Sequence, residues 1–138
     1  MSTFDVQSIE IPAPVAVAFR YIADPAHLPD WTHAFTRVSE GQATMQTPAG
    51  AVRVGLKVLA SEPHGTIDWA ITFPDGAVAR AASRVTPHGD RSIYTFVLEA
   101  PPVPLERLEG ALAEQSRILA SELATLARRL GEDESDHE

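Results

Sequence analysis

Four side chains in this 138-residue chain have the types needed to move protons or hold an oxyanion: His33, Asp68, Arg84 and Tyr94. An imidazole exchanges protons near neutral pH, and a carboxylate can serve as a base. A guanidinium or a phenol can stabilise developing negative charge. His33 shares strand parity with Trp31 and Phe35, so an inward orientation would set an imidazole in an aromatic wall. Asp68 admits two readings. A hairpin centred on Pro74-Asp75-Gly76 sets it opposite about Ala82, with Arg80 and Arg84 as diagonal neighbours. It either forms an outward ion pair with one of those arginines or, on a twisted strand, faces the interior as a proton acceptor. His27, His64, His88 and His137 lie in turn-like or terminal surroundings and are expected to face solvent.

Other chemistries lack their residues. There is no cysteine, which removes disulfides, thiolate catalysis and zinc ribbons. No glycine-rich phosphate loop leads from a strand into a helix, and no His/Asp/Glu cluster has metal-ligand spacing. We expect no cofactor and no metal. The net charge is -8, but Glu132, Asp133, Glu134, Asp136 and Glu138 carry five of the nineteen acids. The body holds 14 acids against 11 bases, a balance that argues against nucleic acid. No apolar run reaches membrane-spanning length, and Met1 to Val6 lacks a signal pattern, so a cytoplasmic protein is expected.

The elements that must position these groups are legible as periods. Residues Phe4 to Ile11 alternate as a half-buried strand, ended by Pro12-Ala13-Pro14. Val15, Ala18, Phe19 and Ile22 form a helical stripe that Asp24-Pro25 stops. A second helical turn over Ala26 to Leu28 is expected to break at Pro29. Period-two alternation then predicts strands at His33–Glu40, Ala43–Thr47, Ala51–Ala60, Thr66–Phe73, Ala77–Thr86 and Ser92–Glu99. Their joints carry the glycine or proline of tight turns. Finally, Leu105, Leu108, Leu112, Leu119, Leu123, Leu126 and Leu130 recur at helical steps from Pro104 to a stop at Gly131. At 1.5 Å per residue this helix is roughly 40 Å long and must lie on something. The expectation is an α+β fold, one curved seven-stranded antiparallel sheet wrapped on a long C-terminal helix, with two short helices after the first strand. Residues 1–131 form one domain, and 132–138 an acidic, solvated tail.

Strand parity also gives an inventory of the interior. Val54 and Leu56 share one face of their strand, with Arg53 and Lys57 opposite. Trp69 and Ile71 share another, as do Tyr94 and Phe96. With Trp31, Phe35, Leu112 and Leu119 they define a mostly apolar lining, as small-molecule pockets require. Gln115 and Ser116 interrupt the leucine stripe, either as tolerated polar residues or at a polar section of the pocket. The same apolar residues could equally fill a closed core.

Three stretches carry a family resemblance. They are Ile11-Pro12-Ala13-Pro14 through Ile22-Ala23-Asp24-Pro25 to Asp30-Trp31, then Gly65-Thr66-Ile67-Asp68-Trp69 with Pro74-Asp75-Gly76 and Ser83-Arg84-Val85, and the terminal helix. Together they resemble the START-like (SRPBCC) superfamily, in its polyketide cyclase/dehydrase-related bacterial branch. The resemblance implies a helix-grip fold, a tryptophan at the pocket mouth and a small hydrophobic, polyketide- or lipid-like ligand. For an enzyme it implies cyclisation or dehydration by acid–base chemistry. Members of other classes leave two alternatives: a non-catalytic carrier or sensor, and a co-chaperone-like interaction module with a filled cavity. Sheet edges and the long helix offer surfaces for a homodimer. No membrane partner is expected.

Overall fold

The computed structural model describes residues 4–47, 50–99 and 105–136; within the last stretch side chains are described from Gln115 to Gly131. Strand β1 (Phe4–Ile11) leads into helix α1 (Val15–Ala23), a 3-10 turn at Pro25–His27 and the short helix α2 (Leu28–Trp31). Six strands follow: β2 (Phe35–Ser39), β3 (Gln42–Thr47), β4 (Gly50–Ser61), β5 (Thr66–Thr72), β6 (Val78–His88) and β7 (Arg91–Glu99). Helix α3 (Leu105–Asp136) closes the chain. The sheet order is β1-β7-β6-β5-β4-β3-β2 and every neighbouring pair is antiparallel. Curved around a C-terminal helix, this is the helix-grip arrangement.

Pairing registers sort side chains onto two faces. Val54, Leu56, Ile67, Trp69, Val85, Tyr94 and Phe96 are buried on the inward face. They join Ile11, Phe19, Ile22, Leu28 and Trp31, and the α3 residues Leu119, Leu123, Leu126 and Leu130, in one continuous cluster. Leu126 and Leu130 are fully buried, so the helical stripe lies on the sheet as its period requires.

Helix α3 runs alongside β1. Near one end of β1, Gln7 Nε2 donates to the Ser116 carbonyl at 2.7 Å, and Ser116 Oγ donates to Asp5 Oδ2 at 2.7 Å. These bonds explain the polar break in the stripe, because Ser116 ties helix to strand. The Ser116 bond first, and second a bond that Gln7 Nε2 donates to Asp5 Oδ2 at 2.8 Å, hold the Asp5 carboxyl below its ordinary value. Toward the other end a Cβ on Gly131 would stand 3.0 Å from Pro12 Cγ. Gly131, expected as the helix stop, is instead a point of close approach, and α3 continues to Asp136.

Three local expectations need correction. Pro29 does not break a helix; it occupies the first turn of α2, where its missing N–H costs nothing. The second strand begins at Phe35 rather than His33, because Thr32–Ala34 form a turn in which Thr32 Oγ1 accepts from the Phe35 N–H at 3.3 Å. His27 does not simply face solvent: its ring stacks on Tyr21 with centroids 4.1 Å apart, and its Nδ1 meets the Tyr21 carbonyl at 2.8 Å.

One glycine is demanded by the sheet. Gly65 adopts φ +70°, and a Cβ there would collide with the Val85 carbonyl. Its own carbonyl accepts from the Val85 N–H at 2.8 Å, locking the start of β5 against β6.

The leucine row gives the first prediction. Leu119 is 4% exposed, and Leu119→Ala should lower unfolding free energy by about 2–5 kcal/mol in urea titration. A loss under about 0.5 kcal/mol would mean that this face of α3 is not buried.

Candidate ligand-binding site

The concave face of the sheet is aromatic at its centre. Trp69 on β5 and Phe96 on β7 stack with ring centroids 5.7 Å apart, and Tyr94 meets Phe96 edge-on at 6.2 Å. Val54, Leu56 and Ile71 flank them on the same face, Val58 pairing with Trp69 and Leu56 with Ile71 across β4 and β5. Ser83 pairs with Phe96 and Ile67 in register and points inward; its hydroxyl donates to the Ile67 carbonyl at 2.6 Å. Tyr94 is 0% exposed, and burial pushes its phenol far above the ordinary range, so the hydroxyl stays protonated. The Ser83 hydroxyl is close enough to oppose that rise slightly, yet Tyr94 Oη has no partner within hydrogen-bond geometry. The indole N–H groups of Trp31 and Trp69 are likewise buried without a partner.

The four side chains with proton-transfer chemistry are not brought together. Tyr94 is interior. Asp68 pairs with Ala82 and Leu59, one position out of phase with buried Ile67 and Trp69, which puts it on the convex face. Arg84 pairs with Thr66 and Thr95 on that face and is exposed. Neither forms an ion pair within 4.0 Å among the described residues, so the expected Asp68–Arg84 or Asp68–Arg80 bridge is absent as well. The His33 side chain is exposed, while Trp31 is 3% exposed at the end of α2 and Phe35 is half-buried. The parity expected to unite these three fails, because helix and turn, not strand, set their directions. Gln115 is half-buried on α3, Leu119 is buried, and the Leu112 side chain lies outside the described residues.

The site reading missed Glu122. This carboxylate is 8% exposed on α3, and its Oε2 accepts from the His33 backbone N–H at 2.6 Å. Burial raises its pKa, opposed by the backbone N–H groups of His33 and Ala34 and then by the His33 charge. It straps α3 to the α2–β2 turn. Its signal was present: Glu122 stands three residues after Leu119 and four before Leu126, on the buried stripe.

Elsewhere, a hollow of about 480 Å³ lies where β2, β3 and β4 meet. Arg37, Thr44 and Arg53 line it and stand in one cross-strand row. The row is on the convex face, away from the aromatic centre. Among the described residues no group of three His, Asp or Glu side chains could hold a metal, and no helix is long and apolar enough to cross a membrane.

A long helix gripped by a curved antiparallel sheet is the fold of START-like proteins. Residues 6–131 match the family described as polyketide cyclase / dehydrase and lipid transport, and the chain belongs to that family. Such membership implies binding of a ligand in a hydrophobic cavity. No curated protein matches the chain in sequence. Among solved structures, a protein from Chromobacterium violaceum superposes with TM-score 0.71 at 17% identity, covering 94% of this chain and 99% of that one. The Zhui aromatase/cyclase from Streptomyces sp. R1128 superposes with TM-score 0.66 at 12% identity, covering 98% and 95%. A START superfamily protein from Mycobacterium smegmatis gives TM-score 0.66 at 13% identity, covering 94% and 99%. At these identities the likeness is one of fold.

Glu122 yields a pH prediction. Its folded pKa lies above the ordinary 4.5, so the folded state binds the proton more tightly than the unfolded chain does. The stabilising contribution of that proton is full below the ordinary value and is lost as pH rises through the folded value. In Glu122→Gln the dependence disappears. Urea titrations between pH 4 and pH 7 should therefore show the variant gaining on the wild type as pH rises. A pH-independent difference, or a gain toward acid, would contradict the placement of Glu122.

Proposed function

We propose that this protein binds a small apolar or aromatic molecule, polyketide- or lipid-like, between the concave face of the sheet and helix α3. One observation carries the reading: Trp69, Phe96 and Tyr94 form a contiguous aromatic cluster on the inward face, flanked by Val54, Leu56 and Ile71 on one side, with Gln7 opposite Phe96 on the other. A planar apolar ligand stacked on these rings would itself leave water, which is favourable. The proposed contacts are Trp69, Phe96, Ile71, Val54, Leu56 and Leu119.

The dispersal of the polar candidates favours a carrier or sensor over a cyclase. Acid–base catalysis needs its donor and acceptor within hydrogen-bond reach of one substrate. His33, Asp68 and Arg84 point away from the interior, and Glu122, the one buried carboxylate among the described residues, accepts backbone N–H groups of the α2–β2 turn. Among the described residues an enzymatic reading would rest on Tyr94, whose burial suits the phenol to donate a hydrogen bond rather than lose its proton, and on Asp5, whose carboxylate is already bonded to Ser116 and Gln7.

Native mass spectrometry of the protein as purified, followed by a thermal-shift screen of apolar, lipid and aromatic compounds, tests the proposal. A co-purifying molecule, or a compound present at a hundred times its Kd, should raise stability by about 2.7 kcal/mol. No binder across the screen would favour a filled core and a protein-interaction role instead.

A further inference from the structure

The hollow on the convex face owes one of its walls to a β-bulge. Phe35 pairs with Met45, yet Arg37 pairs with Thr44, a shift of one position within β2. A regular strand would pair Arg37 with Ala43, on the buried face beside Phe35. The extra residue, Thr36, turns Arg37 outward instead. Thr44 pairs in turn with Arg53 of β4, so the bulge sets two guanidinium side chains on either side of one threonine. Neighbouring strands lie about 4.8 Å apart, which spaces the two arginines by about 10 Å at the backbone. Both long side chains can then meet over Thr44.

The lining of the hollow holds donors and no acid. Ser39 and Gln42 pair in the adjacent row, and the remaining wall is Ala43, Ala51 and Val52. Thr44 accepts from Thr36 Oγ1 through its carbonyl at 3.5 Å, which leaves its own hydroxyl available. The ion pairs among the described residues engage Arg20, His27 and Arg91, not Arg37 or Arg53. Of the acids in the neighbouring turns, Glu40 makes no such pair, and Asp75 Oδ1 accepts from the Ala77 N–H at 2.9 Å. All this occurs in a chain whose net charge is -8. Two like charges over one hollow repel, and an anion between them turns that repulsion into attraction.

From the bulge, the row and the acid-free lining we infer that the hollow is a separate anion site, which takes a phosphate or diphosphate group. Arg37 and Arg53 each offer a planar fork to a pair of oxygens, and the Thr44 hydroxyl offers a further donor between them. A single carboxylate has two oxygens and one charge, enough for one guanidinium. A phosphate-type dianion has the oxygens and the charge to engage both. The site lies on the opposite face of the sheet from Trp69, Tyr94 and Phe96, and it stands or falls independently of what those rings bind.

Titration of the full, isotope-labelled chain with sodium pyrophosphate at low salt, followed through backbone amides and arginine Nε–H signals, tests the inference. Saturable shifts centred on Arg37, Thr44 and Arg53 are expected, with a Kd of about 1 mM or lower. Acetate should bind at least about tenfold more weakly. Arg37→Gln and Arg53→Gln should each raise the pyrophosphate Kd about fivefold or more. Arg80→Gln removes the same charge from the same face and should change it less than about twofold. All three side chains are exposed, so the variants should keep the wild-type Tm. Co-sedimentation with vesicles of phosphatidylcholine and phosphatidic acid identifies where the group comes from. Pelleting that Arg37→Gln abolishes assigns it to a lipid headgroup, pyrophosphate binding without pelleting assigns it to a soluble molecule, and either result supports the site. No saturable shift, shifts spread evenly over Arg80 and Arg84, an equal effect of Arg80→Gln, or acetate binding as tightly as pyrophosphate would each overturn it.

Discussion

Burial of one face of α3 against the concave sheet is the constraint from which the other features follow. Leu119, Leu123, Leu126 and Leu130 put a continuous apolar row onto the inward side chains of the sheet. A helix of this length has little stability alone and takes it from that contact. Polar bonds then fix its position along the sheet. Ser116 ties it to Asp5 and Gln7 of β1, Gly131 lets it approach Pro12, and Glu122 straps it to the turn before β2. Burying a carboxylate for that last purpose costs desolvation, offset by two backbone donors that would otherwise lack a partner.

The same arrangement divides the sheet into two faces with different chemistry. Strand alternation sends Asp68, Arg80 and Arg84 outward and Trp69, Tyr94 and Phe96 inward, so position along a strand decides which residues can meet a ligand. Asp68 and Arg84 are excluded from the interior by phase, and Tyr94 is included by it. Among the described residues the inward face carries ring faces and the hydroxyl of Tyr94 at its centre, with Asp5 and Gln7 bonded to α3 at its edge.

Much of this was legible in the residues themselves. Period two over β2–β7 and the leucine steps of α3 define the architecture, because each period admits one burial pattern. The outward phase of Asp68 could be read from its neighbours Ile67 and Trp69. Other features depended on tertiary contacts that no local period encodes. Trp31 ends a helix and Thr32–Ala34 form a turn, so the shared face expected of Trp31, His33 and Phe35 does not exist. Gly131 had the composition of a helix stop but is a contact with Pro12, distant in sequence. Glu122 showed its burial by spacing, while its partners lie 89 residues away and donate through the backbone, where side-chain identity carries no signal.

The central claim is that a ligand lies on the concave face, beneath α3. Isotope-filtered nuclear Overhauser contacts between an aromatic compound that binds in the thermal-shift screen and the labelled protein test it directly. The account predicts contacts from the ligand ring protons to the side chains of Trp69, Tyr94 and Phe96. Contacts to Arg37 and Arg53 at the convex hollow, or none to the concave aromatics, would contradict it.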